Sequence, residues 1–129
     1  MTEQEPAFDL LLQGGHVVDP ANNIYGRTDV AIKDGKIAAI SPDIDTSSAA
    51  KTVNVDGLYV TPGLIDIHVH VLAYGAWTFP DEYALPNGIT TVADAGGAGW
   101  RNFEEWKAAV IDKARTRVLV LLNIVGAGM

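Results

Sequence analysis

Three residues of types that bind or orient metal ions occupy alternate positions of one short apolar segment. Asp66, His68 and His70 lie within residues 64–71, where all the other positions are apolar. Side chains alternate across a β-strand, so we expect the three polar side chains to share one face of a strand. The opposite face, which we expect to lie beneath helices, consists of Ile65, Ile67, Val69 and Val71.

Imidazole groups two residues apart converge on one point at the end of a strand, which is the arrangement that a transition metal requires. The spacing of His68 and His70 therefore allows both side chains to reach one divalent metal ion. Asp66 is expected to accept a hydrogen bond from a ligand imidazole or from a neighbouring backbone group. The chain has no cysteine, so histidine or carboxylate must hold any metal. A His-x-His pair alone is a weak signal, because most such pairs are surface residues or hydrogen-bonded core residues.

Short strands separated by turn residues fill the first half of the chain. We predict a polar, frayed N-terminus over residues 1–7, followed by a small antiparallel sheet, or part of a sandwich, over residues 8–60. The pair Asp34-Gly35 stands between two runs that are typical of strands. It indicates a hairpin, because a type I′ turn needs positive φ at both central residues.

The pattern changes to alternating strands and helices in residues 61–129. The predicted strands cover residues 64–71, 89–93 and 118–122. The third is a continuous apolar run, which is typical of a strand covered on both faces. A helix is predicted to begin after Asn102, which is expected to cap it with Glu105 in the capping-box position. This succession predicts a parallel α/β layer.

The residues around the histidine pair resemble a known enzyme family. Residues 60–70, Val-Thr-Pro-Gly-Leu-Ile-Asp-Ile-His-Val-His, are similar to the opening barrel strand of the amidohydrolase superfamily of metal-dependent hydrolases. Residues 14–20 and 55–60 resemble its N-terminal β-sandwich segment, and residues 88–99 resemble its second barrel strand. The resemblance extends from about residue 9 to residue 129 and is closest to the dihydroorotase-like amidohydrolase/deacetylase branch.

The resemblance implies an α/β fold in which a small N-terminal β-sandwich segment, residues 8–60, precedes the first strands and helices of an incomplete (β/α)8 TIM-type barrel, residues 61–129. It implies that His68 and His70 are the metal ligands of the first barrel strand. The implied cofactor is a divalent metal, with zinc the first choice and one or two ions in the complete family enzyme. The implied activity is hydrolysis of an amide or ester bond in a small-molecule substrate.

The family builds the rest of its site from later strands, and this chain lacks those residues. No histidine follows His70, and a (β/α)8 barrel needs about 250 residues. We therefore expect the N-terminal portion of a larger enzyme, with no catalytic residue of its own and no hydrolysis by the chain alone. Three alternatives stay open. The chain is one half of a split hydrolase completed by a second chain, a non-enzymatic β-rich interaction protein that associates through its open sheet edge, or a remnant without function. A homo-oligomer or a complementing chain is the protein partner to expect.

Several other residues have both a structural and a functional interpretation. Asp94 ends a predicted strand, where barrel enzymes place functional groups, although a turn or cap is the commoner role. The Gly-rich loop at 95–99 lacks the spacing of a nucleotide-binding fingerprint, so we expect a connector. His16 is expected to be structural or exposed. The aromatic residues that follow the histidine pair line a substrate pocket or pack against the barrel rim, and they are Tyr74, Trp77, Phe79 and Tyr83.

Charge and hydropathy argue against several classes of partner. Asp and Glu number 16 against 9 Lys and Arg, and the net charge of -7 argues against nucleic-acid binding. The most apolar run, residues 118–129, is too short to span a bilayer. The N-terminus is acidic and has no secretory signal pattern. We therefore expect a soluble, cytoplasmic protein without a nucleic-acid or membrane partner.

Overall fold

A computed structural model describes residues 5–71 and 78–129 of the chain. The chain divides into two compact units, Met1–Pro62 and Gly63–Met129. The first unit is built mainly from strands, and the second combines parallel strands with short helices. The chain therefore has a mixed α/β fold, as the sequence predicts.

A five-stranded mixed sheet forms the first unit. Its strands are β1 (Leu10–Asp19), β2 (Ile24–Lys33), β3 (Lys36–Ser41), β4 (Thr52–Asn54) and β5 (Tyr59–Val60). The order is β3-β2-β1-β4, and β5 also pairs with β1. The first three strands are antiparallel neighbours, whereas β4 and β5 run parallel to β1. The predicted antiparallel sheet is therefore correct for three strands and wrong for β4 and β5.

A tight turn at Asp34-Gly35 joins β2 to β3. The two residues have φ values of +51° and +71°, and Lys33 pairs with Lys36 across the turn. Positive φ at both central residues is what a type I′ turn requires, so the predicted hairpin is confirmed. Short 3-10 helices at Pro20–Asn22 and Thr46–Ser48 lie in two other connections.

A buried carboxylate supports the irregular centre of β1. The pairing of β1 with β2 shifts register between Leu12 and Gly15. There the Asp29 carboxylate, which is buried, accepts the N–H of Gly14 over 2.7 Å and the N–H of Ile44 over 2.9 Å. It thereby takes the place of a ladder partner at the shift. The buried apolar residues of this unit are Leu11, Val17, Val30 and Ala31.

Three parallel strands and short helices form the second unit. The strands are β6 (Leu64–Val69), β7 (Ile89–Asp94) and β8 (Arg117–Val120), in the order β6-β7-β8. Between β6 and β7 lie α1 (Pro80–Ala84) and a 3-10 turn (Leu85–Asn87). Between β7 and β8 lie α2 (Phe103–Trp106) and a π-helical turn (Lys107–Ile111). The parallel α/β layer that the sequence predicts is present.

The helices cover one face of this sheet. Val92 and Val118 are register neighbours on β7 and β8, and both are buried. They pack in one apolar cluster with Ala84 of α1, Trp106 of α2 and Val110 of the π-helical turn. This cluster is the core of the second unit.

The other face of the same sheet is open among the residues that the structure describes. Ile65 on β6 is 63% exposed and Leu119 on β8 is 45% exposed. Within residues 5–71 and 78–129, the prediction that residues 118–122 are covered on both faces is therefore wrong. A continuous apolar run indicates a strand that is buried on both faces, but it does not show that elements of this chain pack against both of them.

The helix that follows the Gly-rich loop is shorter and less regular than predicted. The Asn102 side chain does not cap α2. Its Oδ1 accepts the N–H of Gly99 over 2.8 Å, and its Nδ2 donates to the Ala127 carbonyl over 2.8 Å. The capping-box prediction for Asn102 and Glu105 is wrong because these contacts use both polar atoms of the asparagine. Among the described residues, none of the helices has the length and apolar character that crossing a membrane requires.

Candidate metal centre

An extra residue in β6 decides which way its side chains face. Asp66 pairs with Val92, whereas Val69 pairs with Asp94. Val92 and Asp94 are two positions apart, so they share a face of β7. Asp66 and Val69 therefore share the helix-covered face, although they are three positions apart. The register shift between them is a bulge in β6.

The two histidines consequently lie on the open face of the sheet. His68 and His70 flank Val69 and alternate away from it. His68 is exposed and His70 is half-buried. This arrangement agrees with the prediction that both imidazoles project the same way. The prediction that Asp66 shares their face, and that Ile65 lies beneath helices, is wrong because the bulge breaks the strict alternation.

The spacing of the two imidazoles fits two ligands of one metal ion. The ring centroids of His68 and His70 are 5.3 Å apart, and the ring planes cross at 84°. A zinc–nitrogen bond of about 2.0–2.1 Å places an ion about 3.2 Å from each ring centre, and two such rings at a tetrahedral angle stand about 5.2 Å apart. Imidazole nitrogen is also a suitable ligand for zinc, copper and related ions.

The pair is a partial ligand set in the part of the chain that the structure describes. Residues 5–71 and 78–129 contain no group of three or more His, Cys, Asp or Glu side chains able to hold a metal ion. A catalytic zinc site has three protein ligands. The described residues therefore do not by themselves supply the ligand set of a catalytic zinc site.

A carboxylate and a tyrosine hold the backbone at His68. The Asp66 carboxylate accepts the His68 N–H over 3.0 Å and the Tyr83 hydroxyl, from α1, over 2.7 Å. The hydrogen bond from Tyr83 and, to a smaller extent, the one from the His68 N–H keep the pKa of Asp66 below its ordinary value. The same bond to Asp66 raises the pKa of Tyr83. Asp66 thus contacts a neighbouring backbone group, which is one of the two partners that the sequence predicts.

A second carboxylate lies just beyond the histidine pair. Asp94 is fully buried at the end of β7, and its Oδ2 accepts the Val71 N–H over 2.8 Å. Its Oδ1 accepts the N–H groups of Gly96, over 3.1 Å, and Gly97. These contacts support the turn interpretation of Asp94. The contact with Val71 was not predictable from the sequence, because it crosses between two strands.

Two Gly-rich segments meet beyond the ends of β7 and β8. The Asn123 N–H donates to the Ala98 carbonyl over 2.9 Å. A Cβ atom at Gly99 would lie 2.1 Å from the Val125 carbonyl oxygen, so only glycine allows the two backbones to approach this closely. The loop at 95–99 is therefore a connector that also packs against the end of the chain. The glycine residues in both segments are the sequence feature that could have predicted this close contact between the two backbones.

The remaining candidate residues have structural surroundings. His16 stands edge-on to the rings of Tyr25 and Tyr59, at centroid distances of 4.6 and 5.2 Å, which favours the structural interpretation. Tyr83 bonds to Asp66, and Phe79 is half-buried immediately before α1. The other two aromatic candidates, Tyr74 and Trp77, lie outside the described residues.

Comparisons with known proteins place these motifs in a family. No family model matches the chain. The chain is 38% identical over 120 residues to a deacetylase from Enterococcus faecalis, an alignment that covers 91% of this chain and 31% of the relative. It is 43% identical over 64 residues to a dihydroorotase from Trichlorobacter lovleyi, which covers 50% of this chain and 15% of the relative.

Solved structures agree with these relatives. A dihydroorotase crystal structure matches 93% of this chain and 32% of its own length, with a TM-score of 0.80 and 31% identity. The chain belongs to the amidohydrolase superfamily. It spans between a quarter and a third of the length of the first curated relatives that it matches. Another superfamily structure, an N-acyl-D-glutamate deacylase from Bordetella bronchiseptica, is a complex with zinc; it has a TM-score of 0.56 and 28% identity, over 73% of this chain and 19% of that one.

Proposed function

We propose that this chain contributes the first part of the active site of a metal-dependent hydrolase that acts on amide or ester bonds. His68 and His70 are the proposed ligands of a divalent metal ion, with zinc the first choice. The observation that carries the proposal is the imidazole pair on the open face of β6, with a centroid distance of 5.3 Å. A bound divalent ion supplies polarisation of a carbonyl group and a better water nucleophile.

The names of the relatives support the substrate class that we propose. The curated proteins similar to this chain include deacetylases, dihydroorotases and an L-hydantoinase. We propose a small molecule with an amide or ester bond, from among cyclic amides, N-acyl amino acids and acylated hydroxy acids. The net charge of -7 supports a small-molecule substrate over a nucleic acid.

The proposed architecture is a small β-sandwich segment, residues 8–60, joined to the start of a (β/α)8 barrel, residues 61–129. Three parallel strands do not close a barrel, which needs about 250 residues. The exposed apolar face that includes Ile65 and Leu119 supports the view that more strands pack there. We propose that they come from additional sequence or from a complementing chain, and that the chain alone hydrolyses nothing.

Metal binding by the purified chain tests the proposal. Isothermal titration with Zn2+ or Co2+ is expected to show a site that weakens about tenfold or more in His68→Ala and in His70→Ala. His16→Ala is the matched control, because His16 lies in the first unit against two tyrosine rings. Equal affinity in all four proteins would contradict the proposed ligands. Metal-dependent turnover by the chain alone, lost in His68→Ala, would contradict the expectation that it needs further strands.

A further inference from the structure

We propose that Asp94 is a positioning residue for the metal centre, because its carboxylate fixes the backbone directly after His70. The inference rests on the proposed function, since it concerns a proposed ligand of the same centre. Asp94 pairs with Val69 and shares the helix-covered face, whereas the imidazoles lie on the open face. Asp94 therefore acts on His70 through the backbone and is not itself a ligand.

His70 lies between two anchored residues. On its N-terminal side, the Val69 carbonyl accepts the Ala95 N–H over 2.8 Å. On its C-terminal side, the Val71 N–H donates to Asp94 Oδ2 over 2.8 Å. Both anchors belong to the end of β7, so the peptide groups on each side of His70 are tied to the neighbouring strand. The direction of its Cα–Cβ bond is thereby fixed relative to β7.

The surroundings of Asp94 fit a carboxylate better than an amide. Three backbone N–H groups, from Val71, Gly96 and Gly97, converge on its two oxygens in a fully buried position. A buried charge needs such donors. Asparagine has one acceptor oxygen, so its NH2 group would face at least one N–H group and leave it without a partner.

The loop after β7 is shaped to receive this carboxylate. A Cβ atom at Gly97 would lie 2.8 Å from both carboxylate oxygens of Asp94. Gly96 has a φ of +101°, which L side chains rarely adopt. The Asp-Ala-Gly-Gly sequence therefore forms a pocket of backbone donors around one side chain. The Oδ2 atom of Asp94 accepts the N–H of Val71, the residue that follows His70, across the two strands.

The test compares Asp94→Asn and Asp94→Ala with Asp81→Asn in the full chain. Asp81 is a matched control, because its carboxylate also accepts backbone N–H groups within the second unit, those of Arg115 and Thr116. Co2+ affinity is expected to fall about 10–100-fold in both Asp94 variants, with an altered Co2+ absorption spectrum. Asp81→Asn is expected to bind Co2+ as the unmodified chain does, although it too loses stability.

Hydrogen exchange of the Val71 amide supplies a metal-free measurement. Both Asp94 variants are expected to lose protection at Val71 and to shift the His70 ring resonances, whereas Asp81→Asn keeps both. Unchanged Val71 exchange, or lost protection with unchanged Co2+ affinity, would overturn the positioning role. If His68→Ala leaves Co2+ binding intact, the proposed function fails. The Val71 and His70 signals then still decide whether Asp94 orders the residue it contacts.

Discussion

Two carboxylates hold the backbone at and beside the histidine pair. Asp66 accepts the N–H of His68, and Asp94 accepts the N–H of Val71. The spacing of the histidines predicted that they project the same way, because alternation around Val69 is local. It did not predict the face of Asp66, because the bulge depends on the pairing of β6 with β7, which lies more than 20 residues further along the chain.

At the residue scale, we expect Gly97→Ala to destabilise the second unit by about 1–3 kcal/mol, because the new methyl group would overlap the Asp94 carboxylate. Urea unfolding measures the change. A double-mutant cycle with Asp94→Ala identifies the cause, since removing the carboxylate should relieve most of the cost. The same cost in the Asp94→Ala background would show that the clash lies elsewhere.

The β2–β3 hairpin, which depends on a local signal, matched its prediction, whereas the direction of β4 and β5, which depends on a distant partner, did not. The Asp34-Gly35 turn specifies the β2–β3 hairpin within two residues. The parallel pairing of β4 and β5 with β1 has no comparable local signal. The segment that forms the π-helical turn, Lys107–Ile111, likewise has ordinary helical periodicity in its sequence, which gives no local signal for that turn.

The start of α2 gives a test of the asparagine contacts. Serine or aspartate replaces asparagine well at a helix N-cap. Asn102 instead joins Gly99 to Ala127 with one acceptor and one donor. We therefore expect Asn102→Ser and Asn102→Asp to lose about 1 kcal/mol in urea unfolding, close to the loss in Asn102→Ala. Full rescue by serine would indicate a capping role after all.

The hydrogen bonds between Asp81 of α1 and the residues just before β8 predict that the stability of the chain depends on pH. Burial by itself would raise the pKa of Asp81, but the N–H groups of Thr116 and Arg115 outweigh it and hold the pKa below its ordinary value. The resulting stabilisation is present above the unfolded pKa of about 3.9 and is lost as the pH falls through the folded value. The urea midpoint should therefore drop more steeply below about pH 5 in the unmodified chain than in Asp81→Asn. Parallel curves for the two proteins would argue against this contribution.

At the scale of the whole molecule, each unit has its own sheet, and the second sheet has one covered and one open face. The sequence showed the apolar runs that build this second sheet. The sequence could not show which of these apolar runs other elements pack against, because that depends on how the surrounding chain folds. The family resemblance predicted further barrel strands, and the exposed apolar residues of β6 and β8 are consistent with that expectation.

The open face predicts self-association of the isolated chain. Contiguous exposed apolar surface favours association in water. We expect the double variant Leu119→Lys with Leu121→Lys to shift sedimentation-velocity profiles toward monomer, since these side chains are 45% and 64% exposed. Tyr25→Lys, on the first unit and 75% exposed, serves as the control. An equal shift in the control would show that association does not depend on the open face.

The bulge in β6 makes the length of this segment as important as its composition. Strict alternation over the same residues would place His68 and His70 on the face of Asp66, beneath the helices. The extra residue before Val69 puts both imidazoles on the opposite face without any change in their spacing. The His-x-His motif alone therefore does not show which side of the sheet the two imidazoles occupy.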